Sequence, residues 1–235
     1  MTTYSSKAIA LKYIKYGESS IISKMLTLKK GLQSFIVKGV RQKKSKQKLV
    51  CFEPLKLCEI SVNNHKDSST LQYLKKIDLL ESINYNYINP NVNLLSIFIA
   101  EVILKTTKEN FADKYLFEFI WETKKYLLTK NLINDDFIFV FLIKLSSYLG
   151  FQPCKENISN PYFDLEKARF VKIKNINTLN SSLSNVFRCL IKNEPVTLGA
   201  EKKSEVLSCL IKYYNIHSHD LNSLMSQKII KSVMF

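Results

Sequence analysis

The chain has 235 residues, 46% hydrophobic and 23% charged, and its 35 Lys and Arg against 20 Asp and Glu leave a net charge of +15. That balance fits a soluble globular protein of one or two domains, and only five glycines and five prolines argue against long flexible linkers. The most apolar runs, Leu94–Leu104 and Phe137–Ile143, fall well short of the ~20 residues a membrane helix needs.

The first third reads as strands. Ala8–Tyr16 (AIALKYIKY) is β-rich, with Ile9, Leu11 and Tyr13 assigned to one face and Ala10, Lys12 and Ile14 to the other; Gly17-Glu18-Ser19-Ser20 is a turn. Ile21–Leu28, Leu32–Val40, Leu55–Val62 and Leu71–Ile77 follow as four more strands, and five short strands in under 80 residues suit a small barrel. The period then changes. Val92–Thr107, Lys114–Thr129 and Asp136–Leu149 read as helices, the first with Val92, Leu95, Ile99, Val102 and Ile103 at helical spacing. Asn89-Pro90 and Asn134-Asp135-Asp136 are expected to cap helix starts, and Gly150 to end the third helix. Trp121, with Phe117 and Ile120, is expected in the core. Leu183–Lys192, Ser204–Tyr214 and Leu221–Ile230 are three further helices, and Tyr162–Ile173 (YFDLEKARFVKI) a small hairpin.

The positive charge is concentrated. Residues 1–80 carry 16 basic and 5 acidic residues, a net of +11, whereas residues 81–235 carry 19 and 15, a net of +4. Such a field attracts polyanions, nucleic acid first and an anionic membrane second, although a lysine-rich genome would give the same count. Arginine occurs only at Arg41, Arg169 and Arg188. Lysine acts as a point charge on phosphate and arginine is the usual reader of guanine, so the composition favours backbone contact over sequence readout. The sharpest local feature is Arg41–Lys48, RQKKSKQK, with five basic residues and no acid, an expected loop between strands. Lys38, Arg41, Lys43, Lys44, Lys46 and Lys48 are the candidate phosphate contacts, and Lys12 and Lys15 secondary ones. Of the nearby aromatics, Tyr13, Tyr16, Phe35 and Tyr73, a strand ring is more often core than platform. Tyr16, at a strand end, and Tyr73, close before Lys75-Lys76, are the candidates for stacking on bases.

Signatures of catalysis are missing: there is no GxxxxGK[ST], GxGxxG or GxSxG. His217-x-His219 lies beside Asp220 without the spacing of a metal site and reads as a surface loop. Asp135-Asp136 is explained by helix capping. The five cysteines, Cys51, Cys58, Cys154, Cys189 and Cys209, are odd in number and form no CxxC, so free thiols in a reducing cytoplasm are expected. The N-terminal segment has no apolar h-region, and no secretory signal is expected.

Several segments in order resemble the RecO family of bacterial recombination mediators. Ala8-Ile9-Ala10-Leu11-Lys12 and Tyr16-Gly17-Glu18-Ser19-Ser20 resemble that family's opening strand and turn, and Thr27 through Gly31-Leu32 its second turn. Val37-Lys38-Gly39-Val40-Arg41 with Lys43, Lys44, Ser45 and Lys46, then Phe52-Glu53-Pro54-Leu55, and later Leu145–Pro153 (LSSYLGFQP), resemble further family segments. The resemblance implies an α+β chain: an N-terminal OB-fold barrel over residues 1–80 and a helical domain over 81–235, with a hairpin insert near 161–174. It implies binding to single- and double-stranded DNA, annealing of complementary strands, and help in loading recombinase. The implied partners are RecR and the acidic, hydrophobic tail of the single-strand-binding protein, and the implied setting is the bacterial cytoplasm at the nucleoid. One departure is clear. Many members carry a four-cysteine zinc site after the segment matched by Leu145–Pro153, but here Cys154 stands alone. No zinc and no cofactor is expected, and Phe163, Leu165 and Phe170 would hold the hairpin in place of metal.

The residues alone leave other classes open. A barrel module for RNA or the ribosome has the same charge and strand pattern. A phosphodiester enzyme would need a carboxylate cluster, whereas Glu18, Glu53, Glu59, Asp67 and Asp78 are dispersed. Membrane-surface binding would need a basic amphipathic helix, and the excess charge lies on strands.

Overall fold

The computed structural model describes residues 2–42, 45, 49–64, 71–80, 90–130 and 133–235. Lys43, Lys44, Lys46 and Lys48 of the basic loop, and the expected cap at Asn89, lie outside the described residues. The chain divides into two compact units, residues 1–129 and 130–235.

The first unit begins with five strands: β1 (Thr2–Tyr16), β2 (Ser20–Thr27), β3 (Gly31–Val37), β4 (Leu57–Asn64) and β5 (Gln72–Leu79). They close in the order β1-β2-β3-β5-β4, with β3 and β5 parallel and β4 returning antiparallel to β1. This is the OB-fold barrel. Closure depends on the length of β1, which starts six residues before the expected strand. Thr2–Ile9 pairs with β4 while Ala8–Tyr16 pairs with β2, so one strand serves both sides of the seam. A bulge at Leu11, between the pairs Ala10↔Met25 and Lys12↔Lys24, lets it bend. The bulge also corrects the expected alternation: Ala8 and Ala10 lie in the barrel core with Tyr13 packed against it, and Lys12 and Ile14 are exposed. Ile21, Met25, Phe35, Val37, Ile60 and Val62 fill the core. A short 3-10 turn, Leu49–Phe52, adds Cys51 and Phe52 to it.

Two helices complete this unit. α1 (Pro90–Thr106) packs on β1, and α2 (Lys114–Thr129) buries Phe117, Ile120 and Trp121 as expected. Trp121 stacks on Phe117 with centroids 5.5 Å apart, and the Lys7 ammonium lies 5.2 Å from its ring centroid. The α1–α2 loop is fastened to the barrel. The Asn110 amide donates to the Leu32 carbonyl at 2.9 Å, and Lys24 pairs with Glu109 at 2.7 Å.

In the second unit, α3 (Phe137–Tyr148) packs against α4 (Ser181–Lys192) and α5 (Ala200–Ile216), followed by α6 (Ser226–Val233). Asp136 occupies the N-cap position of α3 but makes no side-chain cap bond; its carboxylate instead accepts from the Val196 amide at 3.4 Å. Gly150, at φ +86, ends α3 in a Schellman arrangement: the Phe151 amide donates to Ser146 and the Gly150 amide to Ser147. The hairpin pairs β6 (Tyr162–Asp164) with β7 (Arg169–Val171), and Phe163, Leu165 and Phe170 are buried. Phe163 packs 5.1 Å from the rings of both Phe170 and Phe187. His217 and His219, expected on a surface loop, are half-buried and both lie against Phe151 at ring separations of 4.9 and 5.2 Å. Among the described residues no helix is long and apolar enough to cross a membrane, and no group of three or more His, Cys, Asp or Glu is placed to hold a metal.

Candidate nucleic-acid interface

The outward face of β1, β2, β3 and β5 is organised in rows set by strand register. Past the bulge, β1 turns Lys12, Ile14 and Tyr16 outward, all exposed. Strand β2 alternates strictly at first, burying Ile21, Ser23 and Met25 and leaving Ser20, Ile22 and Lys24 half-exposed. On β3, Ser34 and Ile36 are the half-buried positions between buried neighbours. The pairings Ile14↔Ile22, Ile22↔Ile36 and Ile36↔Tyr73 therefore draw one continuous row across four strands. A parallel row, Lys12↔Lys24↔Ser34, carries two lysines two residues further along. On the other side Tyr16 pairs with Ser20, and Lys38 follows the end of β3. Ile14 is 52% exposed and Tyr16 53%, so this face combines apolar and aromatic surface with flanking cations.

Tyr16, Ser19, Ile36, Lys38, Gln42 and Tyr73 line a cleft of about 420 Å³ at the rim of this face. The Lys38 ammonium sits 4.6 Å from the centroid of the Tyr73 ring, a cation–π arrangement. Arg41 closes the rim: its amide donates to the Ser19 carbonyl at 3.0 Å, and its guanidinium donates to the Gly17 carbonyl at 3.1 Å. The start of the basic loop is thereby held against the β1–β2 turn.

Of the residues singled out from the sequence, Tyr16, Lys38 and Tyr73 meet in the cleft, Arg41 joins them at its rim, and Lys12 lies in the lysine row of the same face. Lys15 is exposed but alternates to the opposite side of β1 from Ile14 and Tyr16. Phe35 is wholly in the core and Tyr13 is half-buried against it. Lys76 is bound to Asp78 at 2.7 Å, which holds its pKa above the ordinary lysine value through the hydrogen bond and the charge of that carboxylate. Three participants escaped sequence reasoning: Ile22, Lys24 and Ile36. Their signal was the alternation of SIISK and SFIV, in which Ser20, Ile22 and Lys24 and then Ser34 and Ile36 face out.

Among the described residues the cleft holds no carboxylate pair, nucleophile–base pair or metal-ligand cluster. What it offers is stacking, apolar contact and cationic charge, the means by which barrels of this kind hold single strands.

Comparison with known proteins agrees with this geometry. The model of the family described as "Recombination protein O N terminal" matches residues 1–83, which cover the barrel. The whole chain is similar to proteins named DNA repair protein RecO. The one from Flavobacterium psychrophilum is 31% identical, covering 97% of this chain and 98% of that protein. Those from Christiangramia forsetii and Azobacteroides pseudotrichonymphae are 28% and 30% identical, covering 97% and 98% of this chain and 98% of each relative. Barrel topology, the full-length likeness and the matched N-terminal segment converge, and the chain belongs to the RecO family of DNA repair and recombination proteins.

Proposed function

We propose that the chain is a non-catalytic recombination mediator that binds single- and double-stranded DNA, anneals complementary strands, and with RecR assists the loading of recombinase. In this reading residues 1–80 are the nucleic-acid-binding domain. Residues 81–235, with their hairpin insert, are the helical domain that takes the tail of the single-strand-binding protein. The protein works without a cofactor, in the cytoplasm at the nucleoid.

The observation that carries the reading is the row Ile14-Ile22-Ile36-Tyr73 with Lys12 and Lys24 on one side and Tyr16 and Lys38 on the other. Bases stack on aromatic and apolar surface at roughly 1–3 kcal/mol each, with no demand on their identity. Lysines beside them neutralise phosphate and release counterions. Lys43, Lys44, Lys46 and Lys48 of the same basic segment are the further candidate phosphate contacts. Annealing needs only that repulsion between two strands be lowered, so no reacting group is required.

The test is fluorescence anisotropy of labelled single-stranded and duplex DNA over a salt series, followed by an annealing assay. Tight binding that weakens steeply with salt, together with faster annealing, is expected. Stronger binding to RNA of the same sequence without annealing would place the chain with RNA-binding barrel modules. No binding at low salt would remove the reading altogether.

A further inference from the structure

The α1–α2 loop carries a second aromatic and cationic surface that the barrel face does not account for. Phe111 is 64% exposed and Tyr115, in the first turn of α2, 73%. Large rings at such exposure gain little from the core, and the two stand four residues apart in sequence, one in the loop and one in the first turn of α2.

Its position is fixed, because the loop is joined to the β2–β3 end of the barrel at several points. Leu32 and Glu109 form a parallel bridge, the Gln33 side chain reaches Asn110 at 3.4 Å, and Tyr4 holds Gln33 at 2.7 Å. A methyl group on Gly31 would meet the Phe111 carbonyl oxygen at 2.1 Å, so loop and turn are in backbone contact. The β2–β3 turn presents Lys29 and Lys30 beside this contact, both exposed, and Lys108 is exposed on the loop. The nearby carboxylates are engaged: Glu109 by Lys24, Asp113 by the Leu116 amide it caps at 2.9 Å, and Glu118 by Lys114 at 3.7 Å. Among the described residues Lys29, Lys30 and Lys108 have no carboxylate within ion-pair distance.

This patch is continuous with the face already described. Two residues along β2, about 7 Å, separate the isoleucine row from Lys24, and Lys24 is the residue that grips Glu109. We infer that a single DNA strand lying on the barrel continues past Lys24 onto the α1–α2 loop. There Phe111 and Tyr115 stack on bases, and Lys29, Lys30 and Lys108 contact phosphates. The helix pair thereby lengthens the binding site beyond the barrel. The inference rests on the reading of the barrel face as a DNA site and adds a second subsite to it.

The experiment uses the full chain and two labelled oligothymidylates, one of about 5 nucleotides and one of about 20, which bracket the span of a single barrel. A Phe111→Ala/Tyr115→Ala variant is expected to weaken binding of the long strand by about fivefold or more per ring. The short strand, held by the barrel, is expected to keep its affinity. Tyr16→Ala is expected to weaken both. The conservative pair Phe111→Tyr/Tyr115→Phe restores the long strand, and Lys29→Ala/Lys30→Ala flattens its salt dependence alone. Unchanged affinity for the long strand in the Phe111→Ala/Tyr115→Ala variant overturns the inference while leaving the barrel site standing, as does an equal loss for both strands. Failure of the unaltered protein to bind either strand overturns the barrel reading itself. Both rings are exposed, so an unchanged melting temperature separates lost stacking from lost folding.

Discussion

The Lys38 ammonium stands 4.6 Å from the centroid of the Tyr73 ring, joining the end of β3 to β5 across the rim of the cleft. The two residues are 35 positions apart in sequence and meet because Ile36 pairs with Tyr73 in the parallel ladder. An exposed pair of this kind contributes about 0.5–1 kcal/mol, so its larger role is to set a cation and a stacking ring in one place. Lys38→Ala is expected to lower affinity for any oligonucleotide and to reduce the salt slope by about one. Tyr73→Ala is expected to cost ~1–3 kcal/mol with the slope unchanged. The double variant should lose less than the sum, because each change removes the other's partner. Anisotropy titrations at several salt concentrations check all three.

Arg41 is a candidate phosphate contact that also has structural work. Its guanidinium donates to the Gly17 carbonyl, and its amide to Ser19. Arg41→Lys keeps the charge and loses the planar fork. It is expected to leave the salt slope intact while weakening binding by about 1 kcal/mol, through a looser rim. Arg41→Ala should lower both affinity and slope. Equal behaviour of the two variants in the same titrations would show that only the charge matters.

The strand and helix periods of the sequence carry much of this architecture. Alternation places β2 and β3, and the apolar spacing of Val92 to Ile103 places α1. A small barrel was legible from the five strands, but the pairing that closes it was not, since that depends on Thr2–Lys7 pairing with β4, and TTYSSK has no apolar alternation of its own. The bulge at Leu11 was equally hidden, because AIALKYIKY reads as an unbroken strand. Tyr16 and Tyr73 could be chosen by position and by lysine neighbours, but their meeting with Ile22 and Ile36 is a matter of register between strands. Phe111 and Tyr115 gave no signal, because their exposure follows from how the loop sits on Gly31 and Leu32.

The hairpin is held by a carboxylate as well as by its rings. Buried Asp164 accepts from the Glu166 amide at 3.0 Å, the Lys167 amide at 2.9 Å and the Asn175 side chain at 2.7 Å. Burial pushes its pKa up, but the Asn175 hydrogen bond and the two amides outweigh that and hold it below the usual carboxylate value. A group with a depressed folded pKa stabilises above its unfolded value and loses that contribution as the pH falls through the folded one. The hairpin is therefore expected to keep this support above about pH 4, the unfolded value of aspartate, and to loosen below it. Asp164→Ala should destabilise the second unit by about 2–3 kcal/mol, because the Glu166 and Lys167 amides and the Asn175 side chain lose a charged acceptor, and abolish that acid sensitivity. Treatment with a chelator should leave the melting temperature unchanged. Urea titrations at several pH values, with and without chelator, check these outcomes.

Gly31 and Gly150 both adopt positive φ, +69 and +86, yet they face different surroundings. A Cβ on Gly150 meets nothing within 4 Å, whereas one on Gly31 meets the Phe111 carbonyl oxygen at 2.1 Å and its carbonyl carbon at 2.4 Å. Gly150→Ala therefore carries only the conformational cost of a left-handed alanine, about 1 kcal/mol. Gly31→Ala carries that cost and also drives the α1–α2 loop off the barrel, since backbone cannot step aside as a flexible side chain can. A loss of about 2 kcal/mol or more is expected. Faster hydrogen exchange should appear at the Asn110 amide, whose acceptor is the Leu32 carbonyl next to the altered residue. If the loop extends the DNA site, Gly31→Ala also weakens the long oligothymidylate more than the short one. Equal stability losses at the two glycines, with exchange at Asn110 unaltered, would mean that the loop is not fastened where the backbone contact places it.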